Sequence, residues 1–190
     1  MRSCLIAGVT GMTGTELLDQ LLSSSDYDQI YALVRKPVLQ KHPKLTEIVV
    51  DYNDLEKGLS QVNGITDVYC CLGTTLKNAG SKEAFRKVDF DYIVNLARWS
   101  EKHKAESFQC ISAIGADEKS SVFYSKVKGQ TEKEISAMKI PSVTFFRPSF
   151  LLGNRKENRA GEKIGIIIAM LLKPLLSGPL LNYRGVESSK

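Results

Sequence analysis

The most constraining stretch of the chain is Gly8-Val9-Thr10-Gly11-Met12-Thr13-Gly14, with glycines at intervals of three residues near the N-terminus. Before it, Ser3-Cys4-Leu5-Ile6-Ala7 reads as a strand buried on both faces. After it, Thr15-Glu16-Leu17-Leu18-Asp19-Gln20-Leu21-Leu22 carries leucines at helical spacing. A strand, a glycine turn and a helix in that order leave the first helical N–H groups without intrahelical acceptors, at the positive end of the helix dipole. A pyrophosphate suits such a junction, and glycines keep Cβ atoms out of both the turn and the path of the phosphates.

The same alternation continues along the chain. Strands are expected at 29–34, 47–50, 67–72 (ending at Gly73), 107–111 and 142–146, the last running into Arg147-Pro148. Between them lie a helical turn at 54–59, a helix from about Ser81 to Lys102 and a helix from about Phe123 to Met138. Strands alternating with helices pair in parallel through right-handed crossovers. The expected fold is therefore α/β, a doubly wound parallel sheet of order 3-2-1-4-5-6, with a ligand across the carboxyl ends of the strands at the switch point. Residues 1–190 are expected to form a single domain, with 148–190 as a short C-terminal, substrate-side segment. In that segment 151–155 reads as a turn, 161–176 as a helix, and 183–190 as the polar start of another helix.

A length of 190 residues is that of one domain with a real core. The net charge of +5 is mild and scattered, and no arginine-rich run or basic and aromatic alternation points to a nucleic acid. Cys4, Cys70, Cys71 and Cys110 all fall in strand-like runs without metal-ligand spacing, so they read as reduced core thiols, no metal is expected, and the location expected is cytoplasmic. The first strand begins too near Met1 to leave room for a signal peptide, and no apolar run approaches the ~20 residues of a membrane span.

Beyond the glycine turn, the cofactor choice rests on Val34-Arg35-Lys36 at the end of the second strand. An acidic residue there would accept hydrogen bonds from a free ribose; the two cations instead suit a 2′-phosphate and favour NADP(H) over NAD(H). Asp51, beside Tyr52 after the third strand, is placed to meet the adenine, and Leu72-Gly73-Thr74 runs beside the cofactor after the fourth. In Tyr124-Ser125-Lys126-Val127-Lys128 a spacing of four sets Tyr124 and Lys128 on one helix face, while Lys126 points elsewhere. A neighbouring ammonium favours phenolate over phenol and draws a reference pKa of about 10 toward the range of a general acid or base. Ser112, at the carboxyl end of the fifth strand, could hold a substrate carbonyl.

These motifs together resemble the short-chain dehydrogenase/reductase superfamily, whose signature is GxxGxxG on the first strand, with Ser and YxxxK after the fifth. The chain is more narrowly similar to its atypical branch containing the Tat-interacting protein family, through CCLGTT at 70–75, VDFDY at 88–92, GAD at 115–117, YxxVKG at 124–129 and FRPSFLLGNR at 146–155. The resemblance implies a Rossmann domain that binds NADP(H), with Ser112, Tyr124 and Lys128 in the catalytic positions and Lys128 also on the nicotinamide ribose. It implies that Arg147, Pro148, Ser149 and Phe150 pass beside the nicotinamide. Related extended enzymes devote a long C-terminal portion to the substrate, whereas here only residues 149–190 follow Pro148. Two readings follow. One is an oxidoreductase acting on a small carbonyl or alcohol; the other is a noncatalytic NADPH-binding sensor or regulator with a protein partner. The apolar stripes of the helices at 81–102 and 123–138 suit packing on the sheet and pairing in a homodimer equally.

Overall fold

A computed structural model describes residues 2–37 and 41–149, together with the backbone of two short strands at Leu151–Leu152 and Val186–Glu187. The elements are β1 (Ser3–Ala7), α1 (Met12–Ser23), β2 (Gln29–Val34), β3 (Leu45–Val49), α2 (Leu55–Gly58), β4 (Asp67–Cys70), α3 (Leu76–Ala79), α4 (Lys82–Arg86), a π-helical segment (Lys87–Tyr92), α5 (Ile93–Lys102), β5 (Ser107–Ile111), α6 (Phe123–Ser136), β6 (Ser142–Phe146), β7 (Leu151–Leu152) and β8 (Val186–Glu187). Six strands form one parallel sheet in the order β3-β2-β1-β4-β5-β6, as the alternating pattern predicts. The reversal lies at β1, whose neighbours are β2 on one side and β4 on the other.

Every residue of β1 is buried, and its side chains divide between two cores. Leu5 and Ala7 join Val68, Phe108, Ile93, Leu96 and Ile135 on the face covered by α5 and α6. Cys4 and Ile6 join Ile30, Ala32, Leu18 and Leu21 on the face covered by α1. Alternation of the pleat sends successive residues to opposite sides, so a strand with helices on both faces must be apolar throughout. The edge strands β3 and β6 mix exposed with half-buried positions.

Three expectations change. The helix foreseen over 81–102 is helical throughout its core, but a π turn at 87–92 divides it into α4 and α5. Thr131 helps to hold that turn: its hydroxyl, 2.8 Å from the Asp89 carbonyl oxygen and 2.9 Å from that of Val127, donates between them. Leu151-Leu152 is not part of a turn but a strand paired in parallel with Val186–Glu187. Those same two residues lie in extended backbone where a helix start was expected. Two-residue strands are too short to show a period, and only their partner defines them. The helix expected at 161–176 lies outside the described residues.

Candidate functional site

The glycine turn expected to cradle a phosphate is built by close packing of backbone on backbone. Gly8 has φ +85°, in the left-handed region, and a Cβ there would stand 2.5 Å from the carbonyl carbon and oxygen of Cys71 at the end of β4. A Cβ on Gly14 would stand 2.1 Å from the Gly8 carbonyl oxygen. The turn is closed by the Gly11 N–H donating to that same oxygen at 3.0 Å. Gly11 is the N-cap of α1 and offers no side-chain acceptor, and the first turn carries no acidic residue. Helix geometry leaves the N–H groups of Met12, Thr13 and Gly14 without intrahelical acceptors, so the cradle fits an anion by shape and by charge. Thr10 is exposed at its rim.

Arg35 and Lys36 are exposed just past β2, and the Arg35 charge reaches the Tyr52 hydroxyl. Asp51 is exposed, and its carboxylate oxygen accepts from the Asn53 backbone N–H at 2.9 Å and from Asn53 Nδ2 at 2.6 Å. Those bonds hold the Asp51 carboxyl below its ordinary range. The Tyr52 side chain belongs to the core: it is 4% exposed and stacks on Tyr92 with ring centroids 5.2 Å apart.

Around the carboxyl ends of β4, β5 and β6 lie the residues expected to react. Ser112 follows β5, with its backbone N–H bonded to the Phe146 carbonyl oxygen at 2.7 Å. Its hydroxyl is buried and has no hydrogen-bond partner among the described residues. A buried hydroxyl in that condition is costly unless a ligand completes it. Tyr124, in the first turn of α6, is 37% exposed and packs on the Phe85 ring at 5.7 Å. Lys128, one turn further on, is 5% exposed and lies within electrostatic reach of Tyr124. Gly129, the next residue, lets α6 pack against the backbone before it: a Cβ there would stand 2.2 Å from the Asp117 carbonyl carbon and the Glu118 nitrogen.

Sequence reasoning missed the partner of Lys128. Its Nζ lies 2.8 Å from Asp89 Oδ1, both side chains being almost fully buried. The other oxygen, Oδ2, accepts from the Thr74 backbone N–H at 2.8 Å. Burial works against the Lys128 ammonium, but Asp89 and then Tyr124 outweigh it and keep its pKa above the ordinary value. Burial likewise dominates at Asp89 and raises its carboxyl. Asp89 does stand in VDFDY, but a contact spanning 39 positions, from 89 to 128, leaves no local spacing to read.

On the far side, Arg147 makes a two-pronged pair with Glu132 of α6 through Nε, at 2.9 Å, and Nη2. That pair raises the Arg147 pKa and commits its guanidinium to fixing the end of β6. The Pro148 carbonyl oxygen accepts from the Ile114 N–H at 3.0 Å, which lays the segment beside the Ser112 loop. Leu72 is half-buried and packs against the core, and Gly73 is exposed above the Asp89–Lys128 pair. Phe150 lies outside the described residues. No group of three or more metal-ligating side chains occurs among the described residues, and no helix there is long and apolar enough to cross a membrane.

Comparison with known proteins agrees with this geometry. Protein HTATIP2 of Rattus norvegicus is 32% identical over 164 residues, spanning 85% of this chain and 67% of the relative. The mitochondrial protein FMP52 of Eremothecium gossypii is 30% identical over 183 residues, spanning 96% of this chain and 78% of the relative. Among solved structures, the Bordetella bronchiseptica enzyme WbmG in complex with NAD superposes with a TM-score of 0.68 at 15% identity, over 91% of this chain. This chain spans 59% of WbmG. The expectation of a cytoplasmic location is corrected by these relatives, since the FMP52 proteins are named as mitochondrial; burial of reduced thiols describes a core, not a compartment. Residues 8–163 match the NAD(P)H-binding family, and with the cradle, the sheet order and the relatives in agreement, this chain belongs to it, as an atypical member of the short-chain dehydrogenase/reductase type.

Proposed function

We propose that the protein is an NADP(H)-dependent oxidoreductase of the short-chain dehydrogenase type, acting on a small carbonyl or alcohol. The observation that carries this reading is the Ser112 hydroxyl at the carboxyl edge of the sheet, buried and without a hydrogen-bond partner among the described residues, flanked by a helix that presents Tyr124 and Lys128. The Gly8–Gly14 turn and the first N–H groups of α1 would hold the pyrophosphate, and Arg35 and Lys36 the 2′-phosphate. When bound, the nicotinamide supplies or accepts the hydride. Ser112 donates a hydrogen bond to the substrate oxygen. Tyr124 gives a proton to that oxygen in reduction and takes it back in oxidation, and the Lys128 charge stabilises the phenolate left behind. Consumption of NADPH against a panel of small aldehydes and ketones tests the reading. Turnover is expected with at least one of them, and turnover unchanged in Tyr124→Phe removes the mechanism.

The FMP52 names support a mitochondrial location for this protein as well. Fractionation of cells expressing the tagged full chain tests this; recovery wholly outside the mitochondrial fraction refutes it.

A further inference from the structure

The Asp89–Lys128 pair is more deeply buried than the proposed chemistry needs. If Lys128 only had to face Tyr124, a half-exposed ammonium would serve. Instead its side chain is 6% exposed, against 1% for Asp89, and the ion pair closes at 2.8 Å. Above the pair lies Gly73, where a Cβ would stand 3.5 Å from Asp89 Oδ1 and 3.8 Å from Lys128 Nζ. The second carboxylate oxygen is taken by the Thr74 N–H, and the Asp89 carbonyl by Thr131 of α6. The π turn therefore delivers one residue that touches both the cofactor-side turn after β4 and the helix bearing Tyr124 and Lys128. π turns inside α-helices are often found at functional sites.

Among the described residues, the other titratable groups facing Lys128 are Tyr124 on its own helix and Cys110 on β5. Cys110 in turn meets Cys70 and feels the charge of Glu132, whose carboxylate is held by Arg147. Asp89 is thus the carboxylate that meets Lys128. An ammonium taken out of water without a counter-ion sheds its proton, because desolvation penalises the charged form alone.

Resting on the reading of Lys128 as part of the site, we infer that Asp89 is a positioning residue: it is the counter-ion that keeps Lys128 charged where the surroundings are too dry to hold an ammonium alone, and it ties that charge to the Gly73–Thr74 turn. Loss of the Asp89 charge would leave the shape of the site intact and remove the cation that Tyr124 depends on.

The test is an NMR titration of the whole chain carrying ¹³C at lysine Cε, without added ligand, with the Lys128 signal assigned by its loss in Lys128→Met. In the unsubstituted protein Lys128 is expected to stay protonated throughout the range in which the surface lysines remain charged. In Asp89→Asn its midpoint is expected to fall by at least about two pH units, and Asp89→Glu is expected to return it toward the original value. A Lys128 that keeps its proton as firmly in Asp89→Asn as in the unsubstituted protein overturns the inference. If Asp89→Asn does not fold, Lys128→Met is read from the other side of the pair: the stranded Asp89 carboxyl is expected to take up a proton at a pH above that of the unsubstituted protein and well above the ordinary carboxylate range, and a midpoint within the ordinary range overturns the inference. None of these readouts needs turnover, so the inference and the oxidoreductase reading fail separately.

Discussion

Gly14 lies directly beneath Gly8, so close that a Cβ on Gly14 would stand 2.1 Å from the Gly8 carbonyl oxygen and 2.7 Å from its carbonyl carbon. Both obstacles are backbone and cannot swing aside as a side chain would. Gly14→Ala is therefore expected to force the first turn of α1 away from β1, lowering stability by about 2 kcal/mol or more. Urea denaturation measures the loss, and titration with NADPH should show weakened binding in whatever fraction remains folded.

Tyr124 and Lys128 are expected to act together. Tyr124→Phe keeps the ring and its packing on Phe85 but removes the acid, so turnover should fall about 100-fold or more while NADPH affinity stays unchanged. Steady-state kinetics beside a fluorescence titration of the cofactor separates the two effects.

Arg35 and Lys36 are exposed, so their replacement by alanine should leave the fold alone. Loss of charge-assisted bonds to a 2′-phosphate is expected to weaken NADPH about 10- to 100-fold and to leave NADH nearly unaffected. A dissociation constant for NADH lower than that for NADPH in the unsubstituted protein would reverse the cofactor preference.

Asp67, at the opposite end of the sheet from the cradle, is expected to contribute to the acid limit of stability. It is buried and accepts from Ser107 Oγ at 2.6 Å, Thr66 Oγ1 at 2.9 Å and Arg2 Nε at 3.0 Å. Burial pushes its carboxyl up, and the bonds from Ser107, Thr66 and Arg2 more than offset this, so its pKa lies below the ordinary value. A folded-state pKa below the unfolded one gives a stabilisation that is complete above about pH 4 to 5 and is lost as pH falls through the folded value. Urea midpoints measured between pH 3 and 7 should drop steeply at the acid end. Asp67→Asn should flatten that drop and cost about 2 kcal/mol at pH 7.

Part of the site was readable because its parts are local. Tyr124 and Lys128 share a helix face by spacing, and the glycine turn announces itself between a strand and a helix. The packing of Tyr52 was not readable: its position after β3 marks it only as the neighbour of Asp51, yet its ring stacks on Tyr92, forty residues away in sequence. Arg147, which the resemblance sets beside the nicotinamide, has its guanidinium held by Glu132 of α6. In both, the partner lies on another element, where no local spacing reveals it.

The sequence by itself determined the alternation of strands and helices, the strand order and the position of the cradle, because hydrophobic period, glycine placement and the handedness of crossovers are properties of short segments. Tertiary structure alone decided that Asp89 meets Lys128, that a π turn carries it there, and that the Ser112 hydroxyl is buried without a partner among the described residues. Those outcomes depend on which side chains share a dry interior, and burial, which sets the cost of an unpaired charge or hydroxyl, exists only once the chain has folded.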